Sequence, residues 1–130
     1  MIKKSILAAL CLLLFVSITN AQEATLTVDE MVFCTAIEDR QPTGNDSTFS
    51  NTVEKVFCFT KVNGSADETT ITHVWYYENE EKARVELSVK AKTWRTWSSK
   101  TIWKTWVGKW RVDVESATGD VLMSKEFTIE

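Results

Sequence analysis

The chain has 130 residues, 25% of them charged, with 18 acidic and 15 basic residues, one histidine, four glycines and three cysteines. That length suits one domain around one core. With Cys11 set aside in an N-terminal apolar run, two cysteines and one histidine are too few for a His/Cys zinc set, and four glycines form no phosphate-cradling loop, so neither a metal nor a cofactor is expected.

Met1-Ile2-Lys3-Lys4 is a short positive stretch, Ser5 to Ile18 is apolar, and Thr19-Asn20-Ala21 places small residues at a cleavage position. This is the pattern of a secretory signal peptide over residues 1–21, leaving residues 22–130 as a single domain. An uncleaved signal-anchor is the alternative. Cys11 sits inside the apolar run behind Leu10, which makes a poor lipoprotein site. The expected location is periplasmic or secreted. No other apolar stretch reaches membrane-spanning length, so no span is expected in the mature chain. Cys34 and Cys58 then remain, and an even pair in an oxidising compartment predicts a disulfide. Two buried thiols acting as small hydrophobes are the alternative.

Beyond the leader the chain reads with period two, the strand period. Met31, Phe33, Thr35 and Ile37 alternate with Val32, Cys34 and Ala36. Asp39 to Asn51, with the only proline, reads as a surface loop. Val53 to Val62 is a second strand, closed by the turn signal Asn63-Gly64-Ser65. Ile71, His73, Trp75 and Tyr77 share one face of a third strand. After the polar turn Glu78 to Glu81, Val85, Leu87 and Val89 point inward, and Arg84, Glu86, Ser88 and Lys90 outward. Trp110, Val112 and Val114 mark another strand, Ala117 to Asp120 a hairpin turn, and Val121 to Ile129 the last strand. No segment has a long helical period. The expected fold is an all-β, antiparallel, immunoglobulin-like β-sandwich of six to seven strands, with a small barrel as the competing closure.

Charge and aromatic residues concentrate in one segment. Residues 82–111 hold nine basic residues against Glu86 alone, a net of +8. Five of the six tryptophans, Trp94, Trp97, Trp103, Trp106 and Trp110, lie in the same segment. Such a mixture either presents a charged surface to an anionic partner or interleaves with acidic strands so that the charges pair. Trp75 and Trp110 sit on the apolar faces of strand patterns and belong to the core. Trp94/Trp97 and Trp103/Trp106 are three residues apart, so in an extended strand one of each pair faces away from the core, unless the backbone turns or bulges. Exposed rings of that size mark interaction sites.

Several strings resemble the bacterial family known as domain of unknown function 2914: Cys34 to Pro42, Val56 to Thr60, His73-Val74-Trp75-Tyr76-Tyr77, Trp94-Arg95-Thr96-Trp97-Ser98-Ser99-Lys100 and Gly108-Lys109-Trp110-Arg111-Val112. The resemblance runs over nearly all of the mature chain. It implies a small exported or envelope-associated β-domain and carries over no activity.

Catalytic residues are not expected. A hydroxyl–His–acid triad would need Ser98 or Ser99 to reach His73 beside a carboxylate, yet Ile71, Trp75 and Tyr77 around it describe a packed strand. Asn45-Asp46 and Asp67-Glu68 lack the calcium-loop pattern. Glu38 and Asp39 are adjacent and face opposite ways, which argues against joint acid–base work. The expected function is a non-catalytic binding module with its site between residues 90 and 111. Trp97, Trp103 and Trp106 would give contact area, and Arg95, Lys100, Lys104, Lys109 and Arg111 the charge. The expected partner is an envelope glycan or other anionic polymer. A structural accessory protein docking on an envelope protein is the alternative, and a small hydrolase a more remote one. Export argues against nucleic acid. Arg95 could also stand between Trp94 and Trp97 as a structural cation.

Overall fold

A computed structural model describes residues 26–130; the expected signal peptide over residues 1–21 lies outside them. Ten strands follow in order: β1 (Thr27–Cys34), β2 (Ala36–Glu38), β3 (Gln41–Thr43), β4 (Thr48–Phe49), β5 (Lys55–Asn63), β6 (Thr69–Tyr77), β7 (Glu80–Val89), β8 (Thr93–Thr101), β9 (Gly108–Ser116) and β10 (Val121–Ile129). The chain is all-β, as its alternation predicts. It has more than six to seven strands because β3 and β4 are short pieces that leave no alternation to read, and the run through Ile37 is broken at Thr35, which separates β2 from β1. β3 and β4 fall within the stretch that reads as a loop.

One sheet has the order β1-β5-β8, the other β4-β10-β9-β6-β7, and β2-β3 forms a separate hairpin. All pairings are antiparallel except that of β10 with β4. The two larger sheets face each other over one core. Val56, Cys58 and Val62 come from one, and Ile71, Trp75, Trp110, Val112, Val114, Phe127 and Ile129 from the other. Val85, Leu87 and Val89 also pack on it, as their alternation on β7 predicts. Phe127 is its centre. Phe33 tilts against it at 4.5 Å, Trp110 stacks on it at 5.8 Å and Trp75 meets it edge-on at 6.1 Å. Each buried indole removes about 150–250 Å² from water, worth an upper bound of about 4–6 kcal/mol.

Two hairpins turn tightly without glycine. Asp39 and Arg40 have φ of 49° and 61°, and Glu78 and Asn79 have 50° and 67°. Positive φ at both central positions is the type I′ geometry, whose twist matches that of the flanking strands. Non-glycine residues are strained there, so other contacts must hold the turns.

The expected disulfide is corrected: Cys34 and Cys58 are separate, buried thiols. In the β1–β5 register Phe33 lies opposite Cys58, and Cys34 opposite Phe57. Neighbours offset by one residue point to opposite sheet faces, so the two Cβ atoms diverge where a bridge needs them to converge. Cys58 joins the core, while Cys34 lies at the base of the β2–β3 hairpin and is hydrogen-bonded by the Ala36 and Thr43 backbone.

Among the described residues no helix is long and apolar enough to cross a membrane, and no group of three or more His, Cys, Asp or Glu is placed to hold a metal.

Candidate functional site

The connection from β8 to β9, residues 102–107, closes one end of the sandwich. Ile102 is buried and its amide donates to Glu54 O at 2.8 Å. The backbone then turns, with Trp106 N donating to Trp103 O at 2.9 Å. Asn51 Nδ2 donates to Lys104 O at 3.0 Å, and Tyr77 Oη to Val107 O at 2.7 Å. Trp110 Nε1, from the core, donates to Trp106 O at 3.2 Å. Side chains of three other segments therefore fix a loop with no regular structure of its own.

On this frame Trp103 stacks on Trp106, with centroids 4.3 Å apart and planes 17° from parallel. Trp106 also meets Tyr77 at 6.1 Å and Trp110 at 5.6 Å. The Lys100 and Lys82 ammonium groups lie 5.1 and 5.7 Å from its centroid. Trp106 is thus partly buried. Trp103 has only one covered face and is 61% exposed, beside Val107 at 46%. An aromatic chain runs from solvent at Trp103 through Trp106 and Trp110 to Phe127 in the core.

The residues expected at the site occupy three surfaces. Lys100, Trp103, Lys104 and Trp106 come together at this end. Arg95 and Trp97 lie on the outer face of the three-stranded sheet, where Trp97 stacks on Phe59, its partner across the register, at 6.4 Å and 13°. Lys109 and Arg111 alternate with buried Trp110 and Val112, so they face outward on the five-stranded sheet. Lys109 reaches Glu126 at 3.7 Å, and Arg111 reaches Asp113 at 3.1 Å while lying 4.1 Å from the Tyr76 ring. Lys82 and Arg84 also pair with acids, at Glu80 and at Glu81 and Glu115. Much of the basic segment is therefore interleaved with carboxylates. Such exposed pairs contribute about 0–1 kcal/mol each.

Trp94 and Trp97 lie on one continuous strand, and they face opposite ways. Trp94, opposite Val62, packs partly on the core. A cation does stand beside both rings, and it is Arg40. Its guanidinium carbon is 5.3 Å from Trp94 and 5.6 Å from Trp97, and Nη2 donates to Arg95 O at 3.1 Å. Arg40 sits at the strained tip of the β2–β3 turn and reaches the edge of β8 that pairs with no strand among the described residues. No local pattern could name it, because 55 residues separate it from Arg95. Tyr77, Lys82 and Asn51 are likewise absent from the sequence-derived site. Of these, only Tyr77 carried a signal, as an aromatic residue ending a strand before a turn.

A second polar cluster spans the core. Thr60 donates to Thr96 O at 3.1 Å, so its oxygen is left to accept from His73 Nε2–H at 3.2 Å. Ser98 Oγ lies 2.7 Å from His73 Nδ1 and accepts from Trp75 Nε1 at 3.1 Å. One direction of donation satisfies every group: Trp75 to Ser98, Ser98 to His73, His73 to Thr60, Thr60 to the Thr96 carbonyl. Burial of His73 lowers its pKa to about 4, which keeps the ring neutral. Ser98 does reach His73, but the second ring nitrogen meets a hydroxyl, where a triad has a carboxylate.

The family model described as protein of unknown function (DUF2914) matches residues 68–129, the family that the sequence resembles. The strings Cys34 to Pro42 and Val56 to Thr60 lie outside the matched residues. No curated protein matches the chain. Among solved structures, it is similar to a beta-glucosidase from Listeria innocua in complex with glucose, with 13% identity and a TM-score of 0.50, covering 82% of this chain and 16% of that one. It is also similar to a beta-glucosidase from Kluyveromyces marxianus, with 12% identity and a TM-score of 0.47, covering 82% of this chain and 14% of that one. The chain spans less than a fifth of either enzyme, and the likeness to the first is one of fold.

Proposed function

For this β-sandwich, matched over residues 68–129 by the DUF2914 model, we propose a non-catalytic binding module, exported to the periplasm or beyond, whose ligand is an envelope glycan. One observation supports the reading above the others. Trp103 offers a free indole face while its other face rests on a ring that the fold holds in place. A flat, half-apolar surface of this kind suits the apolar face of a sugar ring. Because the loop is already fixed by Asn51, Tyr77 and Trp110, little ordering cost is left to binding. The contact surface in this reading is Lys100, Trp103, Lys104 and Trp106. Arg95, Trp97, Lys109 and Arg111 serve the scaffold.

The test is affinity electrophoresis of the wild-type protein and Trp103→Ala through gels containing soluble glycans, beside thermal melts. Retardation of the wild type alone, with similar melts, supports the module. Equal mobility of the two proteins in every gel removes it.

One observation favours docking on an envelope protein instead. Val121 and Met123 are 56% and 37% exposed on β10, which pairs with β4 only through Thr128 and Ile129. Among the described residues the rest of that edge of β10 pairs with no strand, which leaves backbone groups able to accept a partner strand. Co-purification of one protein with the wild type, lost on Met123→Lys, would support this second reading.

A further inference from the structure

Resting on the glycan-binding reading, we infer that the ligand is an acidic saccharide, whose ring lies on Trp103 and whose carboxylate or phosphate group is held by Lys100 and Lys104. Among the described residues, these two cations of the loop region make no ion pair, whereas Lys82, Lys109 and Arg111 are each matched by a carboxylate. Glu78, the nearby acid on the β6–β7 turn, is engaged elsewhere, accepting from Lys109 N at 3.1 Å.

The lysines are also placed. Lys100 is partly buried, with its ammonium 5.1 Å over Trp106, and Trp106 carries Trp103 at 4.3 Å. The Lys104 backbone is tied to Asn51 at 3.0 Å. Cation–π contact at a wet site is weak, so Lys100 keeps most of its charge available to an anion arriving beside it. A neutral sugar would use Trp103 and leave both ammonium groups in water. An anionic bilayer is the poorer fit. Polybasic attachment draws on roughly four to eight Lys or Arg, and among the described residues this end offers two without a carboxylate partner.

Four probes test the inference by affinity electrophoresis and sedimentation: polygalacturonate for carboxylate, a phosphorylated mannan for phosphate, dextran as the neutral polymer, and phosphatidylglycerol vesicles. Retardation by one or both acidic polymers, weakening at high salt, is expected, with dextran inert. The Lys100→Gln/Lys104→Gln double variant should lose roughly tenfold or more in affinity, as befits loss of charge-assisted contacts, with an unchanged melt. Dextran binding as tight as that of the acidic polymers, unaffected by the lysine changes, would overturn the inference and leave the glycan reading standing. Binding to vesicles and to none of the polymers would overturn both, as would no binding to any probe.

Discussion

Ser98 Oγ on β8 lies 2.7 Å from His73 Nδ1 on β6, and this hydrogen bond joins the two sheets through the centre of the molecule. Its acceptor is a neutral imidazole whose pKa is lowered to about 4 by burial. The unfolded chain, with an ordinary histidine near 6.5, binds a proton that the folded state resists. Stability from this group is therefore complete above about pH 6.5 and is lost as pH falls toward 4. The full effect is about 3 kcal/mol, as an upper estimate. His73 is the only histidine, so urea unfolding at pH 7 and pH 5 should show a loss of stability that disappears in His73→Gln. A wild-type stability that is flat between those values would contradict the buried neutral ring.

Trp103 and Trp106 should separate under mutation. Trp103→Ala removes an exposed ring and should cost about 0.5–1 kcal/mol, near the size of one aromatic pair. Trp106→Ala removes the ring that Tyr77, Trp110, Lys82 and Lys100 surround, and should cost about 3 kcal/mol. Chemical denaturation of the two variants distinguishes them. Equal losses would mean that Trp103 is as much a part of the core as Trp106.

Arg40 holds β8 at a turn position that suits glycine better. Arg40→Gly relieves the strain of φ 61° and removes the guanidinium from both indoles. If the contacts outweigh the strain, the variant is destabilised by about 1 kcal/mol, and tryptophan fluorescence shifts to the red. A more stable variant would show that the turn governs this hairpin.

Both cysteines should behave as inert thiols. Burial raises the pKa of each, with the desolvation of Cys58 the larger case, and a thiol so placed has little thiolate to react. A thiol reagent should label the native protein slowly and the urea-unfolded protein at once, and a reductant should leave the melting temperature unchanged. A Cys34–Cys58 crosslink found by peptide mass mapping would contradict the register of β1 on β5.

Gly108 has a φ of 129°, and a Cβ there would collide with the Glu78 carboxylate that accepts from Lys109 N. Gly108→Ala should therefore cost about 2 kcal/mol through both backbone and contact. Adding Glu78→Ala should recover only the contact part. A fully restored double variant would mean that the backbone angle carries no strain.

The residues of this chain determined its strands and much of its core without reference to partners. Period-two alternation is a property of a single extended backbone, so Trp75, Trp110, Val112 and Val114 could be placed inward from local pattern alone, and Trp94 and Trp97 on opposite faces. The I′ turn at Asp39 and Arg40 went unread, because its tight bend lacks the glycine or asparagine that usually announces it. Pairing decided the rest. The one-residue offset between Cys34 and Cys58 sends two thiols to different faces. The meeting of sheets puts Ser98 on His73, and a distant hairpin sets Arg40 across Trp94 and Trp97. At the β8–β9 end, Asn51, Tyr77 and Trp110 fix which indole faces water. Exposure of a ring depends on what long-range contacts bring over it, and the spacing of residues along a strand holds no record of that.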